Sequence, residues 1–278
     1  MFLDPLKKTE IENLFLDESS KSILEYYLKK NLSSIPEVRE LDSLPPLRIP
    51  KEYLEIWISQ MLDGQPIGSG NYPVDVIVSA KNIAIDISGL SVSKNKNGSF
   101  KKYTGEKSLA QKFDSDNYGQ HDEDLDDLFK HSEASKVVDA FKSILIKKYE
   151  KVFVENKVKS IYILNFIFNN NDKEIYLSVL KVDKDRINNF TAGNISKTTC
   201  VFNNAINIDY GEIKAYKAKK RLELRLNING LIEANCIYKI KYSFGGKVRK
   251  INFRDELIKD KKFINNLSEA QAINIFYE

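Results

Sequence analysis

The period of the apolar positions changes several times along the chain, and each change marks an element. Between residues 7 and 31, Leu14, Leu16, Ile23, Leu24, Tyr27 and Leu28 recur at roughly helical spacing, which predicts a helix. Pro36, Pro45, Pro46 and Pro50 make the next stretch irregular. Helix resumes over 51–63, where Tyr53, Leu54, Trp57, Ile58, Met61 and Leu62 form a stripe that Asp63-Gly64-Gln65-Pro66 ends. After a tight loop over 68–73, residues 74–78 and 83–87 are two short β-rich runs joined by the polar turn 79–82, the pattern of a β-hairpin.

Residues 91–103 are polar and lysine-rich and read as a loop, with Thr104 placed to cap a helix over 105–113. An acidic cluster follows at Asp114, Asp116, Asp122, Glu123, Asp124, Asp126 and Asp127. A helix is predicted over 132–150, with Val137, Val138, Phe141, Ile144, Leu145 and Ile146 inward. Residues 159–168 are almost continuously apolar, as in a strand buried on both faces, and 174–182 form the next strand. A short helix near 183–190 leads into strands at 198–208, 221–228, 231–241 and 247–253, with Asn229-Gly230 and Gly245-Gly246 as hairpin turns. Helix returns over 255–275. This order predicts an α/β (α+β) fold with a mixed β-sheet flanked by helices and a β-rich C-terminal extension. The division is a core over 1–190 and a basic β-rich region over 191–278, both within one compact unit.

Composition narrows the class. The chain has 278 residues and is 42% hydrophobic, enough for a core. No apolar run is long enough to cross a membrane as a helix, and the N-terminus lacks the basic-then-apolar pattern of a signal peptide. Two cysteines, Cys200 and Cys236, make a disulfide framework improbable and point to a reducing, cytoplasmic setting, with both as small core residues. Walker, GxSxG and dinucleotide fingerprints are missing, which argues against NTPase, serine-hydrolase and Rossmann readings.

Charge divides the chain. Residues 1–150 carry 20 basic and 25 acidic side chains, net −5; residues 151–278 carry 23 and 14, net +9. A polyanion is the partner such a basic half suggests. Its cations include Lys214, Lys217, Lys219, Lys220, Arg221, Arg225, Lys247, Arg249, Lys250 and Arg254, interleaved with Tyr216, Tyr238 and Tyr242. Lys219, Lys220, Arg221, Lys247, Arg249 and Lys250 are the principal candidates for phosphate contact.

Candidate chemistry lies in the hairpin. Asp75 and Asp86 stand on strands that are otherwise apolar, and burying two carboxylates costs several kcal/mol unless a cation compensates. Converging carboxylates on rigid strands make a seat for a hard divalent cation such as Mg²⁺, to which Glu52 or Glu55 of the preceding helix can add a third.

A helix bearing Glu55, a glycine-containing loop, Pro73-Val74-Asp75 on one strand and Asp86-Ile87-Ser88 on the next resembles the PD-(D/E)xK nuclease superfamily, which includes many type II restriction endonucleases. The resemblance spans roughly residues 50–115, with the strand at 160–168 as its continuation. It implies a restriction-endonuclease-like sheet, Mg²⁺-dependent phosphodiester hydrolysis and double-stranded DNA as substrate. Asp75 and Asp86 would hold the metal, with Glu55 as accessory acid. Such enzymes commonly act as homodimers on palindromic sites. The chain departs from the pattern at Ser88, where the family has its lysine; Lys81, Lys94, Lys107, Lys112 and Gln111 are the candidates for that role. Ser88 leaves two further readings open: a non-catalytic DNA-binding module on the same fold, and a nuclease toxin acting on RNA or non-specific DNA.

Overall fold

A computed structural model describes residues 1–33, 49–67, 72–102, 104–111, 124–169 and 174–240. The proline stretch 36–46, the loop 68–71, the acidic residues 114–123, the Gly245-Gly246 turn, the strand 247–253 and the helix 255–275 lie outside the described residues.

The chain opens with a short strand β1 (Leu3–Pro5) and helices α1 (Lys8–Phe15), α2 (Glu18–Ser33) and α3 (Lys51–Leu62). The single helix expected over 7–31 is thus two. α1 stops at Leu16, whose ψ of 53° leaves the helical region, and Asp17 accepts from the Ser20 N–H to begin α2. The Ser20 hydroxyl donates to the Met61 carbonyl at 2.8 Å, and Tyr27 stacks on Trp57, which locks α2 to α3.

The hairpin forms as expected. β3 (Val76–Val78) pairs antiparallel with β4 (Ile83–Val92), and the turn between them is a 3-10 segment closed by Asn82 at a φ of 54°. β4 then pairs in parallel with β6 (Ser160–Asn169), which pairs antiparallel with β7 (Glu174–Val182). Parallel neighbours need a long crossover, and here it contains β5 (Glu106–Gln111), α4 (Leu125–Lys130) and the 23-residue helix α5 (Ala134–Asn156). With β2 (Gln65–Pro66) and β12 (Tyr238–Ile240) these strands make a seven-stranded sheet, in the order β1-β7-β6-β4-β3-β2 with β12 also on β7.

A second sheet has five antiparallel strands in the order β5-β11-β10-β9-β8, from β8 (Thr191–Ile195), β9 (Thr199–Asn203), β10 (Gly211–Tyr216) and β11 (Arg221–Leu226) with β5. The architecture is therefore mixed α/β with two sheets.

Three differences from the expected elements have physical causes. Residues 105–113 favour helix by composition, yet 106–111 form a strand, because β11 offers β5 a ladder from Arg225↔Glu106 to Arg221↔Gln111. Tertiary pairing overrides a propensity worth only a few tenths of a kcal/mol per residue. Residues 231–241 split between a short helix α6 (Ile228–Glu233) and β12. Asn229-Gly230 consequently lies in the first turn of α6 instead of a hairpin, and Asn227 caps that helix through the Gly230 N–H. Only glycine fits at 230, where a Cβ would stand 1.8 Å from the Asp209 carbonyl oxygen.

The large sheet buries both faces. Ile85, Ile87, Leu164, Phe166, Leu177 and Val179 pack on the side of α1–α3. Ala84, Leu90, Ile163, Ile167, Leu180 and Val182 pack on the opposite side, with α5 and the second sheet. Phe141 of α5 meets Phe202 of β9 edge-on at 6.0 Å, so this helix is sandwiched between the sheets. Cys200 and Cys236 are free and buried, and burial pushes the Cys200 thiol up to about 11.

Candidate active site

Alternation along β4 puts Asp86 and Ser88 on the face that carries Ala84 and Leu90. There they interrupt an otherwise apolar surface. The β3–β4 register, Val76↔Ile85, continued by one residue sets Asp75 opposite Asp86, and the Asp75 N–H donates to the Ile85 carbonyl at 2.8 Å. Like charges directly opposite one another repel unless cations separate them.

The sequence puts Asp75 on a strand over 74–78, but the strand begins at Val76; Asp75 lies just outside it, and its Oδ2 accepts the Ile87 N–H at 2.6 Å. The side chain thus takes a backbone donor of β4. Asp75 Oδ1 accepts from Lys51 Nζ at 2.9 Å, and the same ammonium lies 3.3 Å from Glu55 one helical turn along α3. Burial pulls Lys51 downward, but the hydrogen bond and charge of Asp75 outweigh it and the pKa lies above the usual lysine value. Burial and the neighbouring Asp75 raise Glu55.

Asp86 is the most enclosed carboxylate of the group. Its Oδ1 accepts from Lys107 Nζ at 2.7 Å, and Lys148 Nζ stands 3.8 Å from its Oδ2. Burial pushes its pKa up, yet Lys107 and Lys148 outweigh it and hold the pKa below the ordinary carboxylate value. Burial lowers Lys148, opposed by the charge of Asp86, and Lys148 also donates to the Leu109 carbonyl at 2.9 Å.

Lys107 lies on β5, and only 5% of its side chain is exposed. Besides Asp86 it donates to Ser88 Oγ at 2.5 Å. An ammonium therefore occupies the neighbourhood of Ser88 although the residue at 88 is not itself cationic. Two more lysines that could have served Ser88 are engaged elsewhere: Lys81 donates to the Leu14 carbonyl on the α1 side, and Lys94 pairs with Glu174. Lys112 lies outside the described residues, and so does the side chain of Gln111.

The structure brings Asp75, Asp86, Glu55 and Ser88 together and adds Lys51, Lys107 and Lys148. Asn165 and Ser178 were missed by sequence reasoning. The ladders align Ser88, Asn165 and Ser178 across β4, β6 and β7, all three on the Asp86 face. Asn165 and Ser178 are fully buried, and their polar side-chain atoms make no hydrogen bond among the described residues. The one signal for them was an asparagine inside the apolar run 160–168.

The proposed phosphate-contacting cations are disposed differently. Lys219 pairs with Glu106 and Glu223, Lys220 with Asp124, Lys217 with Asp126 and Lys214 with Glu212. Arg225 pairs with Glu106 and stacks on Tyr216. Arg221 is exposed on β11, opposite Tyr216. Lys247, Arg249 and Lys250 lie outside the described residues. His131 ends α4, while His121 is outside the described residues.

Among the described residues no group of three or more His, Cys, Asp or Glu side chains comes together to hold a metal, and no helix is long and apolar enough to cross a membrane. Compared with protein-family models, with curated proteins and with solved structures, the chain matches none.

Proposed function

We propose that the chain is a Mg²⁺-dependent endonuclease of the PD-(D/E)xK type that cleaves double-stranded DNA at a specific sequence, as a type II restriction enzyme does. One observation carries this reading: Lys107 Nζ binds Asp86 and Ser88 together, and Asp75 stands opposite Asp86 in the continued β3–β4 register. A carboxylate pair that can hold a divalent cation, with a lysine bound to one of them, can support metal-assisted hydrolysis of a phosphodiester.

The donor set suits Mg²⁺, which binds through one or two carboxylates and keeps several waters, whereas Ca²⁺ wants six to eight oxygens. Asp75 and Asp86 would hold it, with Glu55 nearby. When bound, the ion supplies Lewis-acid polarisation of the phosphoryl oxygen and a bound water of lowered pKa.

The chain's own groups have separable parts. Lys107 spends two of its three N–H donors on Asp86 and Ser88, which leaves a third. In this reading that donor stabilises the charge on a phosphate or orients the attacking water. Ser88 holds Lys107 in position, and Lys148 sustains the ionised form of Asp86. The ion pairs of Lys219, Lys220 and Arg225 shift the expected DNA backbone contacts toward residues 241–254, which carry five basic and no acidic side chains. A homodimer on a palindromic site and a cytoplasmic location belong to the same reading.

Digestion of a plasmid of known sequence tests it. Discrete fragments with Mg²⁺, none with EDTA and none from Asp75→Ala or Asp86→Ala are expected. A smear would replace the restriction enzyme with a non-specific nuclease. Salt-sensitive binding without cutting in any divalent metal would leave a non-catalytic DNA-binding module.

A further inference from the structure

We infer that the Lys51 ammonium is a built-in competitor for the divalent cation: it occupies the Asp75 oxygen the metal needs and must swing away before the metal binds. The inference rests on the metal reading above and deepens it.

Asp75 has two carboxylate oxygens and both are engaged. Oδ2 is committed to the Ile87 N–H at 2.6 Å, a bond that replaces a strand partner and so belongs to the sheet itself. Oδ1 is held by Lys51 at 2.9 Å. Oδ2 is anchored to the backbone of β4, so Oδ1 is the oxygen that can turn toward a cation while the sheet stays intact. An ammonium on that oxygen weakens a cation's hold there, because like charges repel and the ammonium already takes one of its lone pairs.

Lys51 and Lys107 differ in how readily they yield. Lys107 is 5% exposed and fixed by two bonds on a strand. Lys51 is half exposed, at the first turn of α3, on a flexible four-carbon stem. Its second contact, Glu55 at 3.3 Å, lies on its own helix and offers it a resting place away from Asp75. A DNA phosphate would offer another, so metal and DNA are expected to favour each other's binding through this one side chain.

Isothermal titration of the full chain with MgCl₂ alone tests the inference, comparing wild type, Lys51→Met, Lys51→Arg and Asp75→Asn. Thermal unfolding confirms that each variant is folded; methionine is a good helix former at a half-exposed position. Lys51→Met is expected to bind Mg²⁺ about tenfold tighter than wild type, with Lys51→Arg close to wild type. Asp75→Asn should lose the binding. If wild type binds while Lys51→Met binds equally or more weakly, the inference is overturned and the metal site stands. Should neither wild type nor Lys51→Met bind, the metal reading falls and the inference with it.

Discussion

Lys107 Nζ on β5 donates to Ser88 Oγ on β4 at 2.5 Å. The two residues are 19 apart in sequence, and the ammonium reaches position 88 from another strand. Lys107→Ser is expected to lower DNA cleavage about 100-fold or more, the usual loss when one positioned donor or acid is removed. Ser88→Lys combined with Lys107→Ser should recover part of that loss, since the charge returns from the other strand. Rates of plasmid nicking under identical Mg²⁺ check both; a double variant no better than Lys107→Ser alone would refute the exchange.

Asp86→Asn leaves Lys107 and Lys148 facing each other without their shared counter-charge. It is expected to cost about 3–5 kcal/mol, as breaking a buried pair does. Asp75→Asn keeps an acceptor for the Ile87 N–H and strands only the half-exposed Lys51, so it should cost about 1 kcal/mol or less. Urea unfolding of the two variants measures the difference, and equal costs would refute the assignment of Asp86 as the enclosed member.

Glu174 gives the fold an acid limit. Burial pushes its carboxyl up, but hydrogen bonds from Lys239, Lys94 and Tyr176 overcome this and hold it at about 2. Because the folded value lies below the unfolded one, the stabilisation is complete above pH ~4.5 and lost as pH falls through about 2. Screening by solvent reduces it to about 1 kcal/mol. Wild type should exceed Glu174→Gln by that margin at pH 6, and the gap should close between pH ~4.5 and 2; a gap independent of pH would contradict the ion pairs.

Cations already paired contribute little to phosphate binding. Lys219→Ala and Lys220→Ala should each leave the salt dependence of DNA affinity almost unchanged, because Glu106, Glu223 and Asp124 neutralise them. Lys247→Ala, Arg249→Ala and Lys250→Ala should each reduce the slope of log K against log salt by about one. Binding isotherms at several salt concentrations decide, and a reversed ranking would return the interface to β10 and β11.

Gly230→Ala forces a methyl against the Asp209 carbonyl and must displace either that loop or α6. It is expected to cost about 2 kcal/mol or more, with a matching fall in the unfolding midpoint. An unchanged midpoint would mean that the close approach is not made in solution.

Much of this was legible locally. The stripe on 51–63 returned α3 within one residue, and the β-rich runs at 74–78 and 83–87 returned the hairpin. The apolar run at 159–168 returned β6, buried along almost all of its length. Asp75 and Asp86 stood out because a carboxylate in an apolar strand violates the period around it. Residues 106–111 were illegible, since Glu, Lys, Leu, Ala and Gln all favour helix and nothing nearby reveals a partner strand more than 100 residues away.

By itself, then, the sequence determined the helices and strands whose apolar period is strong, and singled out Asp86 within β4 and Asp75 just before β3. Periodicity records which face of an element is buried, and that is a local property. Only the tertiary structure decided which lysine serves Asp86. Pairing of β5 with β11 carries Lys107 to Asp86, while Lys81 and Lys94 are engaged elsewhere. It also decided which cations of the basic half are already neutralised: Glu106 comes from the acidic half and meets Lys219 and Arg225 across the second sheet. Charge summed along the chain registers neither fact, because ion pairs form between groups near in space and the fold alone brings them together.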